Sequence, residues 1–191
     1  MKKGYLYTII FMAIVSIVFT GLLAGVNAAY KNKIAGNQKT AVRASILYSV
    51  GIDAGDDANA IFMEKAFEKE LNGMTYYSID TVEGKAYSIP FEGPGLWGTI
   101  RGYIGISSDM KAIKGLAFTE QNETPGLGGR IDEEWYKAQF RGTALSGELK
   151  YGAESGLDAI TGATSTSNAV LKILNSFIET TLIELEEADE E

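Results

Sequence analysis

From Tyr5 to Ala29 the chain carries no charged residue, and about 20 apolar residues suffice for a helix to cross a bilayer. Residues 1–30 are therefore expected to form an N-terminal transmembrane anchor. Lys2-Lys3 and the small residues Val26–Ala28 also suit a cleaved signal peptide. Signal cores usually span about 7–15 residues, so the longer run favours the uncleaved anchor. Lys31–Tyr48 lacks proline and spaces Ile34, Ala41, Ala44, Ile46 and Leu47 as a helical stalk, with an interruption expected at Gly36. Gly51–Asp57 (GIDAGDD) is a break, which makes 31–57 stalk and linker. Ala58–Leu71 reads as one helix with an apolar and a charged face, closed by Gly73.

The period then shortens. Met74–Asp80, Lys85–Phe91, Thr99–Ser107 and Ala112–Thr119 are rich in Tyr, Ile, Thr and Phe between Gly or Asp turns, and predict strands. Ile131–Phe140 predicts a short helix and Leu145–Tyr151 a further strand. From Asn168 the spacing of Val170, Ile173, Leu174, Phe177, Ile178, Leu182 and Leu185 is helical. Strands between helices predict an α+β domain over 58–185, with a mainly antiparallel sheet packed by helices. The acids of 186–191 read as a solvated tail.

Composition narrows the chemistry. With 191 residues, 46% hydrophobic and 22% charged, the chain can bury one core. A net charge of −8 with no basic cluster argues against nucleic acid. The chain has no Cys and no His. That excludes disulfides, thiolate nucleophiles, Cys-ligated clusters, imidazole metal sites and His-based triads. Carboxylate-bound Mg²⁺ or Ca²⁺ stays open, although no metal site is expected. Redox chemistry would need an organic cofactor.

Three stretches carry candidate chemistry. GPGLWG (Gly93–Gly98) fixes an unusual turn that ends in Leu96 and Trp97; taken alone it reads first as a hairpin-like loop with a core Trp. ETPGLGG (Glu123–Gly129) has the glycines to let backbone approach a flat ligand, or to make a simple connection. It has neither the GxGxxG spacing nor a Gly-Lys-Ser/Thr. DAITGATSTSNAV (Asp158–Val170) crowds Thr161, Thr164, Ser165, Thr166 and Ser167 at the mouth of a helix. One hydroxyl would cap a helix, so this many suggest a phosphate site with accessible hydroxyls. Asp158 is an acid where a plain anion cradle would avoid one, suiting a metal or a polar cofactor edge.

In this order GPGLWG, ETPGLGG and DAITGATSTS resemble the FMN-binding-domain family, found in the flavin-bearing subunits of Rnf and Nqr complexes, over about Ile79–Glu179. The resemblance implies FMN attached through its phosphate to Thr164 by a flavin transferase. It further implies that Ser165, Thr166 and Ser167 cap the helix and bind phosphate oxygens, and that Thr161, Gly162 and Ala163 belong to the same site, the last two small enough to let the phosphate reach the backbone. Asp158 would serve recognition by the transferase and the flavin site. Glu123, Thr124, Leu127 and Gly128 would line the isoalloxazine, and Leu96, Trp97 and Gly98 would close it from the other side. Gln121 stands where many relatives carry His. GLWG is nearer the Nqr form, while the short run between Leu149 and Asp158 is nearer Rnf, and Rnf is the reading adopted.

The implied function is an electron-transfer subunit, not an independent enzyme, working with other membrane subunits of an Rnf or Nqr complex. The family's domain lies on the outer face of the cytoplasmic membrane. Counting Lys31, Lys33, Lys39 and Arg43 against Lys2 and Lys3 points the other way; the family placement is preferred because the site match is more specific. The competing reading is a non-redox, membrane-tethered module that binds a phosphorylated ligand. A hydrolase is disfavoured by the missing His and Cys.

Overall fold

The computed structural model describes residues 2–153 and 155–185, so the expected acidic tail lies outside the described residues. The chain divides into two units, Met1–Lys39 and Thr40–Glu191. The first unit belongs to helix α1, Lys2–Ser49, which runs through Gly36 without interruption. Its most apolar window has a mean hydropathy of 2.6 and is fully exposed. A helix apolar on all sides needs a protein core or lipid around it, and this one is long and apolar enough to cross a membrane.

The second unit is α+β, built on a five-stranded antiparallel sheet in the order β1-β2-β3-β4-β5. The strands are β1 Ala66–Leu71, β2 Met74–Thr81, β3 Gly84–Pro94, β4 Thr99–Ser107 and β5 Ile113–Glu120. The helix expected over Ala58–Leu71 is half strand. Helix α2 is Ala58–Lys65, and the chain then extends into β1. Asn72 and Gly73 both take positive φ, 50° and 82°. This two-residue turn matches the twist of a hairpin, and it pairs β1 with β2 from Leu71↔Met74 to Ala66↔Ile79. Pairing overrides the helical charge pattern of AFEKEL.

Leu145–Tyr151 forms no strand. Isolated bridges Ala112↔Ala144 and Gly152↔Leu157 flank it, and Leu145 and Leu149 are buried in the core. Asn175 replaces a ladder partner: Leu149 N–H donates to its Oδ1 at 2.7 Å, and its Nδ2 donates to the Leu149 carbonyl at 3.0 Å. The helix expected over 131–140 is a 3₁₀ turn, Gly128–Asp132, followed by α3, Glu134–Ala138. Helix α4 is Thr164–Phe177, continued by a π-helical turn at Ile178–Leu182.

The sheet buries both faces. On one, Tyr87, Ile89, Phe91, Ile100 and Ile104 pack with Val170, Leu171, Leu174 and Phe177 of α4. On the other, Ile79 and Ala86 meet Ile46, Leu47 and Val50 at the end of α1, together with Ala58 of α2. There the Ser49 carbonyl lies flat on the sheet. A Cβ on Gly105 would sit 1.9 Å from its oxygen, so no side chain fits.

Candidate flavin site

The hydroxyl-rich run is the first turn of α4, not the approach to it. The helix starts at Thr164, four residues earlier than the apolar spacing predicts, and its N-cap is Ala163 with no side-chain cap. Two of the hydroxyls face inward. Ser167, fully buried, donates to the Ala163 carbonyl at 3.1 Å and accepts from Ile160 N–H at 3.0 Å. Thr166, also buried, donates to Glu123 Oε2 at 2.5 Å. The expected capping and phosphate roles therefore do not fit these two side chains, whose oxygens are engaged inside the fold.

The hydroxyls of Thr161, Thr164 and Ser165 are exposed and have no partner among the described residues. The backbone N–H groups of Thr164, Ser165 and Thr166 likewise have no acceptor there; the first helical-type bond of the turn runs from Ser167 N–H to the Ala163 carbonyl. Open N–H donors, the positive end of a helix dipole and a free hydroxyl together suit a phosphate. Gly162 precedes them with φ of 83°, a conformation that disfavours a side chain.

Glu123 joins the three motifs. It is buried at 5% exposure. Its Oε1 accepts from Leu96 N–H at 2.8 Å and Trp97 N–H at 3.0 Å, while Oε2 takes the Thr166 hydroxyl. Glycines make room for this carboxylate. A Cβ on Gly95 would lie 2.6 Å from Oε1, and one on Gly128 would lie 2.8 Å from Oε2 and 2.5 Å from Thr166 Oγ1. Gly128 is thus closed in by protein. Gln121 fixes the approach by accepting from Glu123 N–H at 2.8 Å and donating to Asp132 at 2.9 Å.

Around this buried node sits an exposed apolar rim. Leu96 is 56% exposed, Trp97 68% and Leu127 48%. Leu127 reaches the TGAT turn, with its Cδ2 3.6 Å from where a Gly162 Cβ would stand. Gly98 is half-buried against Asn122, Thr124 is exposed and Ala163 is buried. Large apolar side chains left open beside unpaired phosphate donors fit a planar, phosphate-bearing ligand.

Asp158 is exposed, and its backbone is clamped by Gln139. Asp158 N–H donates to Gln139 Oε1 at 2.7 Å, and Gln139 Nε2 donates to the Asp158 carbonyl at 3.2 Å. Gln139, 19 residues away, carries no sequence signal of this role. Tyr151 adds a second brace, donating to the Ser167 carbonyl at 2.9 Å and pairing with the Tyr136 hydroxyl at 2.6 Å. Burial pushes both phenols above their usual range, so they stay protonated donors. Among the described residues no cluster of acids is placed to hold a metal.

Residues 95–179 match the model of the FMN-binding domain. This region is similar to the FMN-binding-domain family. The match takes in Leu96, Glu123, Gly128 and Thr164, and so the whole buried node. A Na(+)-translocating NADH-quinone reductase subunit of Pasteurella multocida is 33% identical over 135 residues, covering 64% of this chain and 50% of that protein. Its counterpart in Vibrio anguillarum is 31% identical over 118 residues, 56% of this chain and 46% of that one. The chain thus spans about half the length of the curated relatives it matches. The crystal structure of the corresponding reductase subunit from Parabacteroides distasonis superposes with a TM-score of 0.66 at 25% identity, covering 80% of this chain and 96% of that one. The fold class expected from the sequence is borne out, and FMN is the ligand that the family and the open phosphate donors agree on.

Proposed function

We propose that the chain carries FMN on Thr164 as a phosphoester and serves as an electron-transfer subunit of a membrane-bound, ion-translocating NADH-oxidising complex. One observation carries the attachment site. Of the clustered hydroxyls, Thr164 alone combines exposure, freedom from any partner among the described residues, and the first position of α4. Thr161 lies before the turn at Gly162, and Ser165 lies one residue further into the helix. The attached flavin would supply the one- and two-electron chemistry that the chain's own side chains lack.

The protein's contribution is placement. The N–H groups of the first turn would hold the phosphate, and Leu96, Trp97 and Leu127 would cover the ring. Asp158, held by Gln139, would present its carboxylate to the transferase. Covalent attachment suits so open a site, because it replaces a binding equilibrium. The long apolar helix supports a single-pass anchor, and the resemblance to the flavin-bearing subunits supports the outer face of the cytoplasmic membrane.

Within this reading the complex is of Rnf type, passing electrons between NADH and ferredoxin. The short run between Leu149 and Asp158 supports it. An Nqr-type complex is the second reading, favoured by the quinone-reductase names of the relatives. Membranes containing the assembled complex decide between them: loss of NADH-driven ferredoxin reduction in Thr164→Ala supports the first, and loss of quinone reduction alone supports the second. Normal activity on both acceptors in Thr164→Ala, with the chain present at wild-type level, refutes the role as a flavin carrier.

A further inference from the structure

We propose that Glu123 is a positioning residue that ties the Leu96–Trp97 cover to the first turn of α4, so that the apolar rim and the Thr164 attachment point move as one body. The inference rests on the flavin reading for its purpose, but the latch itself is a property of the unloaded protein. Three donors converge on one buried carboxyl group. Two are adjacent backbone N–H groups in the β3–β4 turn, and the third is a helix side chain two residues past Thr164.

Besides the flanking β3–β4 pairing and the packing of Gly98 against Asn122, one further bond holds the turn. Gly95 N–H donates to the Gly98 carbonyl at 2.7 Å, which closes the loop on itself. Leu96 and Trp97 leave more than half of their surface open to solvent, 56% and 68%. Removing the carboxylate would strand two N–H groups and leave both side chains free to swing. Glycine at 95 and 128 reads as part of the same device, since a Cβ at either position would displace one carboxylate oxygen. Glu123 would therefore act on the cofactor at one remove: it would fix how far the indole of Trp97 covers the ring, and with it how dry the ring is. The dielectric around a redox centre shifts its potential.

The test uses the full chain in detergent, in a Trp135→Phe background, so that Trp97, one of the chain's two tryptophans, is the sole indole reporter. Amide exchange of Leu96 and Trp97 and iodide quenching of Trp97 are read on unloaded wild type, Glu123→Ala, Glu123→Gln and Thr166→Val. Midpoint potential is read on the same proteins after flavinylation. Glu123→Ala should speed exchange of both amides by about tenfold or more, the factor that matches loss of a hydrogen bond to a charged group. Thr166→Val touches neither amide and should still loosen them. Glu123→Gln, which keeps an acceptor oxygen, should restore most of the protection. In loaded protein the Ala variant should shift the potential and the Gln variant should return it towards wild type.

Unchanged exchange and quenching in both Glu123→Ala and Thr166→Val overturns the latch. Loosened amides with a wild-type potential overturns its influence on the cofactor and leaves Glu123 a purely structural group. Wild-type protein that takes up no flavin refutes the functional reading instead, while the unloaded measurements still judge the latch. Should Glu123→Ala fail to fold, Thr166→Val and Glu123→Gln decide alone.

Discussion

Gly128→Ala separates two reasons for glycine in ETPGLGG. If the glycine exists so that backbone can approach a flavin, the unloaded protein should tolerate alanine. Its φ lies outside the left-handed region, and replacing glycine at such a site usually stabilises by about 0.4–1 kcal/mol through the unfolded chain. The packing predicts the opposite sign. The new Cβ would stand 2.5 Å from Thr166 Oγ1, 2.8 Å from Glu123 Oε2 and 3.0 Å from Glu123 Cβ. Thr166 is β-branched and sits on a helix, so its χ1 has little freedom, and Glu123 is held by two backbone donors. Relief requires breaking the Thr166–Glu123 hydrogen bond or shifting the 3₁₀ turn. Overpacking and a disrupted buried hydrogen bond each cost about 1–3 kcal/mol, and here they overlap, so a net loss of about 2 kcal/mol is expected. For a unit of this size that lowers Tm by about 4–8 °C. Thermal unfolding of the unloaded full chain in detergent, followed by near-ultraviolet circular dichroism, gives the number. A Tm equal to or above wild type would refute the packing argument and restore the ligand explanation.

Other expectations follow from single contacts. Gly105→Ala drives a Cβ to 1.9 Å from the Ser49 oxygen and 2.4 Å from its carbonyl carbon; backbone cannot rotate aside, so a loss of about 3 kcal/mol or more is expected by urea titration. Gly115→Ala approaches the same oxygen only to 2.9 Å and should cost less. For Tyr136 and Tyr151, burial comes first among the causes that raise the folded pKa. Raised values mean their contribution is complete below the unfolded pKa of about 10 and falls as pH rises through the folded values. Tm measured from pH 8 to 11.5 should therefore stay level and then drop above about pH 10. A Tyr136→Phe/Tyr151→Phe double variant should drop less steeply, and an equal slope would contradict the assignment. Gln139→Ala should slow flavinylation several-fold while lowering stability by no more than about 1–2 kcal/mol, since it removes two backbone clamps near the surface; an unchanged rate of flavin incorporation argues against a role in presenting Asp158.

Much of the fold is legible in sequence because period and punctuation agree. Thr99–Ser107 is read as it stands, and β2, β3 and β5 differ only at their ends. The failures have physical causes. Ala58–Leu71 reads as a helix because Glu64, Lys65, Glu68 and Lys69 alternate as a helical surface would. The stronger signal is Asn72-Gly73, a hairpin turn that demands a strand on each side. Leu145–Tyr151 has the apolar residues of a strand but no edge to join, since Thr143 and Gly142 already bond to Ile113 and Asn175 satisfies Leu149. At the site, the identity of the three motifs is legible and their wiring is not. Which hydroxyls face inward depends on where α4 begins, and propensity places helix starts poorly. That Glu123 is buried under the rim, with Thr166 on its second oxygen, follows from contacts across 43 residues of sequence.

Whether Thr164 holds the flavin is tested most directly by peptide-level mass spectrometry of the full chain, expressed with an active flavin transferase. The expected result is a mass increase of one FMN less one water on the peptide containing Thr161 to Ser167. Fragmentation should locate it on Thr164, with the increase and the in-gel fluorescence both absent from Thr164→Ala. An unmodified peptide, with the transferase shown to act on another substrate, would contradict that assignment, as would the same added mass on Thr161 or Ser165.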